Sequence, residues 1–521
     1  MARSSKRRSA VGGRVWLLSS LFVLVGTGWA LAVPLFHPPD EPMHVDLIGG
    51  LADDPTYPGY ADRHLDRLLL SLSWSYLEAG DGPRRPRLGG LPPPAGAASA
   101  AQVPGGSGPS SQIDQMPQHP PLYYEGAALA LRAARFGHPG APFPTIATEV
   151  LVLRLLNVLL VAPLPLLTFR IARELGASDR TSLTATALLL AVPQLTHIVG
   201  SVNNDNLLIV LGAALTLLVL QVVGRPPDRR RDLAVGLVLG AALLTKAFAF
   251  VLVPWVALAY LVAARRRGSP GAAAGGLAVA GGTSAAVAGW FWIRNVARYG
   301  QVAPTTFFER AGTRPADLPV DHLDWLRSFT WLLPERFWGS MGRYAAQLPE
   351  EVIALATLLV AACVAEALVA RRRPEARDRT ALAMAVLPAL MLGAYVAQHA
   401  HEIYVVTGWY SFIQGRYLFG GIGGLLAVTA VGADRLARGR FGPAAALGVG
   451  VAMQVIAGYV LLVDVWGGAG VSLLGSARTM VAWCPLPAPA VGAVGLALAA
   501  VLATTAVSLT RAVPEPRPAD V

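Results

Sequence analysis

The chain has 521 residues, 54% of them hydrophobic and only 14% charged, with a mean hydropathy of +0.49. That is too apolar for a soluble protein of several domains and marks an integral membrane protein. The formal charge of +11 would suggest nucleic-acid binding in a soluble chain, but most arginines fall in short clusters between apolar runs, the positive-inside pattern, so nucleic acid is discounted. Cys363 and Cys484 offer neither a zinc spacing nor a disulfide framework.

The expected class is an all-α polytopic membrane protein of about twelve transmembrane helices, set in direction by the arginine clusters with both termini in the cytoplasm. The N-terminal RSSKRRSAVGGRV and the following run could form a signal peptide, with Ala30-Leu31-Ala32 as its cleavage site. The run is long enough to span, and more spans follow, so an uncleaved first helix over 15–36 is the reading taken. A long outside loop, 37–147, leads to helix two at 148–170, which returns to the basic RIARELGASDR. Helix three (182–200) and helix four (205–223) are joined by the tight outer turn SVNNDN. The run 232–264 is too long for one helix and is split into a hairpin with LLTKAF at its outer tip. Helix seven (273–297) exits into a second large outer loop, 298–350. Helices eight to twelve follow at 351–370, 379–398, 412–433, 442–463 and 489–511.

Within the first loop, PLYYEGAALALRAARF (121–136) would reverse every later helix if it spanned. It is read as a surface helix with Arg132 and Arg135 toward headgroups. Residues 81–110, rich in Gly, Pro, Ala and Ser, read as a flexible insertion without chemistry. No internal repeat or matched pair of broken helices is found.

This layout gathers the unusual polar residues on the outer side. Asp40 and Glu41 leave helix one within HPPDEPMHVD; His197, Asn203, Asn204 and Asp205 flank the second outer turn. Lys246 sits at the hairpin tip, Arg294 and Asn295 end helix seven, and Gln414 and Arg416 begin helix ten. Ionisable groups at membrane depth cost roughly 2.5 to 3.5 kcal/mol each, so their convergence indicates a site. Pro39 and Pro42 stiffen the backbone around Asp40-Glu41, fixing a carboxylate that can serve as general base on a hydroxyl. Nearby cations could balance a phosphate leaving group, which together imply group transfer from a lipid phosphate. Each position also has a plainer reading: a solvated cap for the acidic pair, snorkelling for Lys246, an interfacial anchor for Arg294, a packed histidine for His197. HAHE (399–402) resembles a metal pair, but its i, i+2 spacing suits a strand rather than a helix.

The motif HPPDEPMH resembles the first-loop acidic motif of the GT-C superfamily, the multi-spanning glycosyltransferases that use polyprenyl-phosphate sugars. QHPPLYY (118–124), RLLNVLL (154–160), HIVGSVNNDN (197–206), LLTKAF (243–248), WFWIRNVARYG (290–300) and IQGRYLF (413–419) follow in an order similar to an uncharacterised bacterial branch of that superfamily. The resemblance covers 15–433 and implies a transmembrane catalytic core over 1–433, with 434–521 adding C-terminal helices and a short cytoplasmic tail. It implies transfer with inversion of a sugar from a polyprenyl-phosphate donor to an extracytoplasmic acceptor, a cell-envelope glycan, lipid or protein, at the plasma membrane. Asp40 would be the base and Glu41 its neighbour in the acidic pair. His37, Asn204, Asp205, Lys246, Arg294, Gln414 and Arg416 would bind substrate. In some members the acid matched by Asp205 helps hold a divalent metal, and in others it orients substrate; no cofactor is otherwise implied. The competing expectation is a flippase or transporter of a lipid-linked substrate, which would place charged residues near the midplane rather than on one side.

Overall fold

The computed structural model describes residues 2–77, 87–93, 108–136, 145–315, 317–369 and 378–511. Helix α1 (Ala2–Ala32) is followed by a proline-rich turn and α2 (Glu41–Asp53). A short antiparallel pair, β1 (His64–Asp66) with β2 (Pro109–Ile113), flanks α3 (Arg67–Leu77), and α4 (Leu122–Phe136) packs back on α2. The bundle continues through α5 (Ile146–Val161), α6 (Leu164–Glu174), α7 (Asp179–Ala187), α8 (Pro193–Val199), α9 (Asp205–Gly224) and α10 (Arg229–Leu243). Next come α11 (Leu252–Arg267), α12 (Pro270–Tyr299), the short α13 (Phe307–Ala311), α14 (His322–Trp338) and the kinked turn α15 (Met341–Tyr344). The last six helices are α16 (Glu350–Val369), α17 (Arg379–Thr407), α18 (Ile422–Leu436), α19 (Pro443–Asp464), α20 (Leu473–Trp483) and α21 (Ala488–Thr510).

Among the described residues ten helical stretches are long and apolar enough to cross a membrane, and the α7–α8 pair makes an eleventh if counted as one broken span. The protein is a multi-pass, all-α membrane protein. The break in the pair is a 74° bend, placed where Pro193 removes a backbone donor. The remaining span of the expected twelve falls on α10, whose 15 residues open with three arginines and an aspartate. The hairpin read from 232–264 is present, with Lys246 between α10 and the turn into α11.

The first loop is more tightly built than its composition suggests. Arg132 donates to the Leu51 carbonyl at 2.8 Å, and Arg135 bridges Asp53 and Glu149, each at 2.8 Å. These arginines therefore fasten α4 to α2 and α5 and do not reach for headgroups. Much of the Gly/Pro-rich stretch 81–110 lies outside the described residues, but 87–93 is docked. Leu88 is fully buried, its N–H meets the Val465 carbonyl at 2.7 Å, and Trp483 donates to the Leu91 carbonyl at 3.0 Å.

One buried ion pair fixes how the first loop leaves the bundle. Arg154 of α5 donates to both carboxylate oxygens of Glu41, at 2.8 and 2.7 Å, and to the carbonyls of Ala30, Val33 and Pro34 at 2.7–3.0 Å. Glu41 also accepts from the N–H groups of Phe36 and Val202. Two charges can be buried stably only when their hydrogen-bonding capacity is met this fully. The substitution Arg154→Leu strands the Glu41 carboxylate and is expected to cost about 3–5 kcal/mol, read as a fall in the Tm of detergent-solubilised protein. Adding Glu41→Leu should recover most of that loss; no recovery would mean that the carbonyl contacts carry the stability.

Candidate active site

The turn after α1 presents Asp40 and Glu41 in opposite directions. Asp40 stands at the start of α2 with φ 63°, in the left-handed region that Asp tolerates better than most residues. Glu41, one residue on, is turned inward to Arg154 and is fully buried. Its acceptors are consumed by the pair, so Glu41 is a structural anchor and not the catalytic neighbour expected from the sequence.

Asp40 lines a cavity of about 340 Å³. Its Oδ2 accepts from Arg416 Nη2 at 2.9 Å, and more than a third of the side chain (37%) stays exposed to the cavity. Arg416 lies in the 3-10 turn Gly415–Gly421 that leads into α18. Its seat depends on two close approaches where no side chain fits: a Cβ on Gly415 would lie 2.2 Å from Phe337 N, and one on Gly212 of α9 2.0 Å from the Gly420 carbonyl. The Arg416 Nε also lies 3.5 Å from Asp205 Oδ2, while Asp205 Oδ1 receives Lys246 Nζ at 2.5 Å. Asp205 opens α9, where the helix N-terminus favours a carboxylate, and Asn203 Oδ1 accepts its N–H at 2.8 Å. Lys246 in turn sits over the rings of Phe248 and Tyr417, 4.7 and 4.6 Å from their centroids. The result is an alternating chain Asp40–Arg416–Asp205–Lys246, built from four separated segments. Burial alone would raise the Asp40 carboxyl, but the charge and hydrogen bond of Arg416, with the charge of Lys246, outweigh it and hold the group below the usual aspartate range.

The other expected residues divide. Asn204 lines the same cavity, 1% exposed, with neither amide atom hydrogen-bonded. Gln414 also lines it and donates to the Tyr344 hydroxyl. His37 does not belong to it: the ring is fully buried, Nε2 contacts the Tyr76 carbonyl at 3.0 Å, and burial lowers it to about 4, so it packs as a neutral histidine. Arg294 is also absent from the lining; its guanidinium stacks on Phe291 of its own helix, 5.2 Å from the centroid, as an interfacial anchor would.

The cavity holds residues the sequence reading gave no role. His44, one turn into α2, has its Nδ1 3.0 Å from the Tyr124 hydroxyl and its ring stacked on Tyr124. Gln118 and His119 come from the loop before α4, and His399 from α17, where its ring stacks on Tyr395. The first three lie inside stretches already singled out, HPPDEPMHVD and QHPPLYY; the signal was their sequence proximity to Asp40 and to the tyrosine pair. His401 instead meets His322 at 2.9 Å outside the cavity, so the two histidines of HAHE serve different neighbours.

More than half of the chain, residues 108–421, matches the sequence profile of a family described as "Predicted membrane protein (DUF2142)". The chain belongs to this family. No curated protein matches this DUF2142 member. Among solved structures it is similar to ArnT from Cupriavidus metallidurans bound to undecaprenyl phosphate, at 14% identity over 95% of this chain and 77% of that one, with a TM-score of 0.47. It is also similar to the Archaeoglobus fulgidus oligosaccharyltransferase tethered with an acceptor peptide, at 11% identity over 90% and 56% of the two chains, with a TM-score of 0.32. The archaeal oligosaccharyltransferase AglB from Archaeoglobus fulgidus, in complex with an inhibitory peptide and a dolichol-phosphate, gives 11% identity, the same coverage and a TM-score of 0.33. The chemistry here therefore rests on this chain's own side chains.

A divalent metal fits this arrangement poorly. Among the described residues no group of three or more His, Cys, Asp or Glu could hold one, and both acids of the site are already neutralised by Arg416 and Lys246. Calorimetric titration of the protein in nanodiscs is expected to show no stoichiometric binding of magnesium or manganese. Binding of one equivalent that is lost in Asp205→Asn would show that an ion displaces the Lys246 ammonium from Asp205.

Proposed function

We propose that the protein is a membrane glycosyltransferase that moves a sugar from a polyprenyl-phosphate donor to an acceptor hydroxyl, with inversion, at a site on the extracytoplasmic side of the plasma membrane and with both termini in the cytoplasm. The observation that carries this reading is the meeting of one partly exposed carboxylate, Asp40, with two buried cations, Arg416 and Lys246, at the wall of a single cavity.

The roles follow from charge and position. Asp40 takes the proton of the acceptor hydroxyl as its oxygen forms a bond to the anomeric carbon. The bond from that carbon to the phosphate oxygen breaks, and its electron pair stays on the departing polyprenyl phosphate. Arg416, whose Nη1 has no hydrogen-bond partner, and Lys246, with two further N–H donors, stabilise the charge that grows on the phosphate. Asp205 keeps both cations in place. The depressed Asp40 carboxyl is a weak base but is ionised at every working pH, and its strength comes from placement. The aromatic side of the cavity supports the orientation: Phe248, Tyr395 and Tyr417 all belong to helical stretches apolar enough to span, where a polyprenyl chain would run.

Purified protein in nanodiscs, given a panel of polyprenyl-phosphate sugars, is expected to release polyprenyl phosphate. Asp40→Asn should lower that rate by about 10²–10⁴-fold, the range of a lost general base. Tight donor binding without release under any condition would point to a flippase instead. The pH profile has a fixed sign. Because the Asp40 carboxyl is lowered, activity should persist as pH falls through the ordinary aspartate range and disappear only below it. An acid limb near neutrality would assign the base to another group.

A further inference from the structure

We infer that the acceptor is an uncharged, hydroxyl-rich carbohydrate, received by a wall of Asn204, His44, Gln118 and His119 beside Asp40; this rests on the transferase reading above. The cavity is divided by where its side chains come from. Phe248, Tyr395 and Tyr417 stand on spanning stretches, whereas the four residues of the wall come from the start of α2, the loop before α4 and the turn before α9, none of which lies in a spanning stretch. A lipid-borne donor would enter along the first part, which leaves the second to the other substrate.

The chemistry of the wall selects among acceptors. Asn204 is 1% exposed, and neither its Nδ2 nor its Oδ1 has a partner. A buried amide open at both ends is matched by a ligand that both donates and accepts. A sugar hydroxyl does both. A phosphate answers only the donor end, an ammonium only the acceptor end, and hydrocarbon neither. Gln118 offers the same two-sided chemistry. The imidazole of His119 does so as well, and His44, whose Nδ1 is taken by Tyr124, adds its Nε2; burial, which outweighs the opposing charge of Asp40, keeps both neutral, His44 down at about 3. Among the described lining residues the cations are Arg416 and Lys246, whose spare donors the donor phosphate takes up, so the wall itself carries no charge for an anionic or cationic acceptor. Helix ends and turns build the wall, not a strand edge on which an extended peptide could pair. In the transfer, one hydroxyl of the acceptor gives its proton to Asp40 and its oxygen to the new glycosidic bond. The other hydroxyls meet the wall.

The test uses the full chain in nanodiscs with two readouts. Saturation-transfer NMR is recorded with neutral methyl glycosides of mannose, glucose and arabinose, with methyl glucuronide, and with a Ser/Thr-rich peptide. Label transfer from undecaprenyl-phosphate mannose, glucose and arabinose is then followed for the same acceptors. Saturation of the neutral glycosides, weakened in Asn204→Leu and His119→Phe, is expected, together with an acceptor KM raised about tenfold while the donor KM holds, the size of one lost hydrogen bond. The milder variant Asn204→Asp keeps the shape and should also raise the acceptor KM, which separates recognition from misfolding. Transfer to the peptide or the glucuronide in preference to the neutral glycosides would overturn the proposal. Glycoside binding without turnover of any donor would sink the transferase reading while leaving the wall a carbohydrate site, so the two failures are distinguishable.

Discussion

Everything at the site end of this bundle depends on the Arg154–Glu41 pair. A guanidinium in the middle of an apolar helix would be prohibitively costly unless it were saturated, and here it receives a bidentate carboxylate and three carbonyls from the chain just leaving α1. Because Glu41 also accepts the Val202 N–H, the same pair ties in the turn that carries Asn204 and Asp205. One interaction thus registers two of the four segments that meet at the cavity. Asp40, covalently next to the anchor, inherits its fixed position and remains free for the cavity.

The second level is electrostatic. Asp40, Arg416, Asp205 and Lys246 alternate in sign, so each charge is offset by its neighbours and none is stranded. Such a chain can accept an added negative group with little rearrangement, since Arg416 and Lys246 keep donors unspent. The aromatic faces of Phe248 and Tyr417 shelter Lys246 from one side and help keep that cation compact.

The spans were legible because a bilayer imposes length and hydropathy on every crossing, and the arginine clusters between them punctuate the chain. Their ends were read to within a few residues at most positions. α10 and the α7–α8 pair were harder to judge as crossings, the first because it is short and charged in its opening turn and the second because a proline bends it internally. Asp40, Asp205, Lys246 and Arg416 could be gathered from sequence because each is polar where a span ends. What sequence could not give was direction: Asp40 and Glu41 are adjacent and alike, yet a left-handed residue between helix and turn sends one to the cavity and the other to the core. His37 and Arg294 failed for the same reason, being at the right depth but facing the wrong way. The role of Arg154 was hidden because an arginine in RLLNVLL has no visible partner until the first loop folds across it.

The left-handed backbone at residue 40 also bears on how the position can vary. Most side chains there would add strain of about 1–2 kcal/mol, whereas Asp and Asn enter this region with little penalty. A glutamate would meet the backbone cost and push its carboxylate past Arg416, so lengthening the acid is no conservative change. The repertoire open to drift is therefore short and mostly inert: asparagine keeps the shape without the charge, and glycine keeps the turn without the group. A lineage that loses this carboxylate can keep the fold intact, and sequences carrying Asn or Gly at this position would be well-folded proteins that have given up the proposed chemistry.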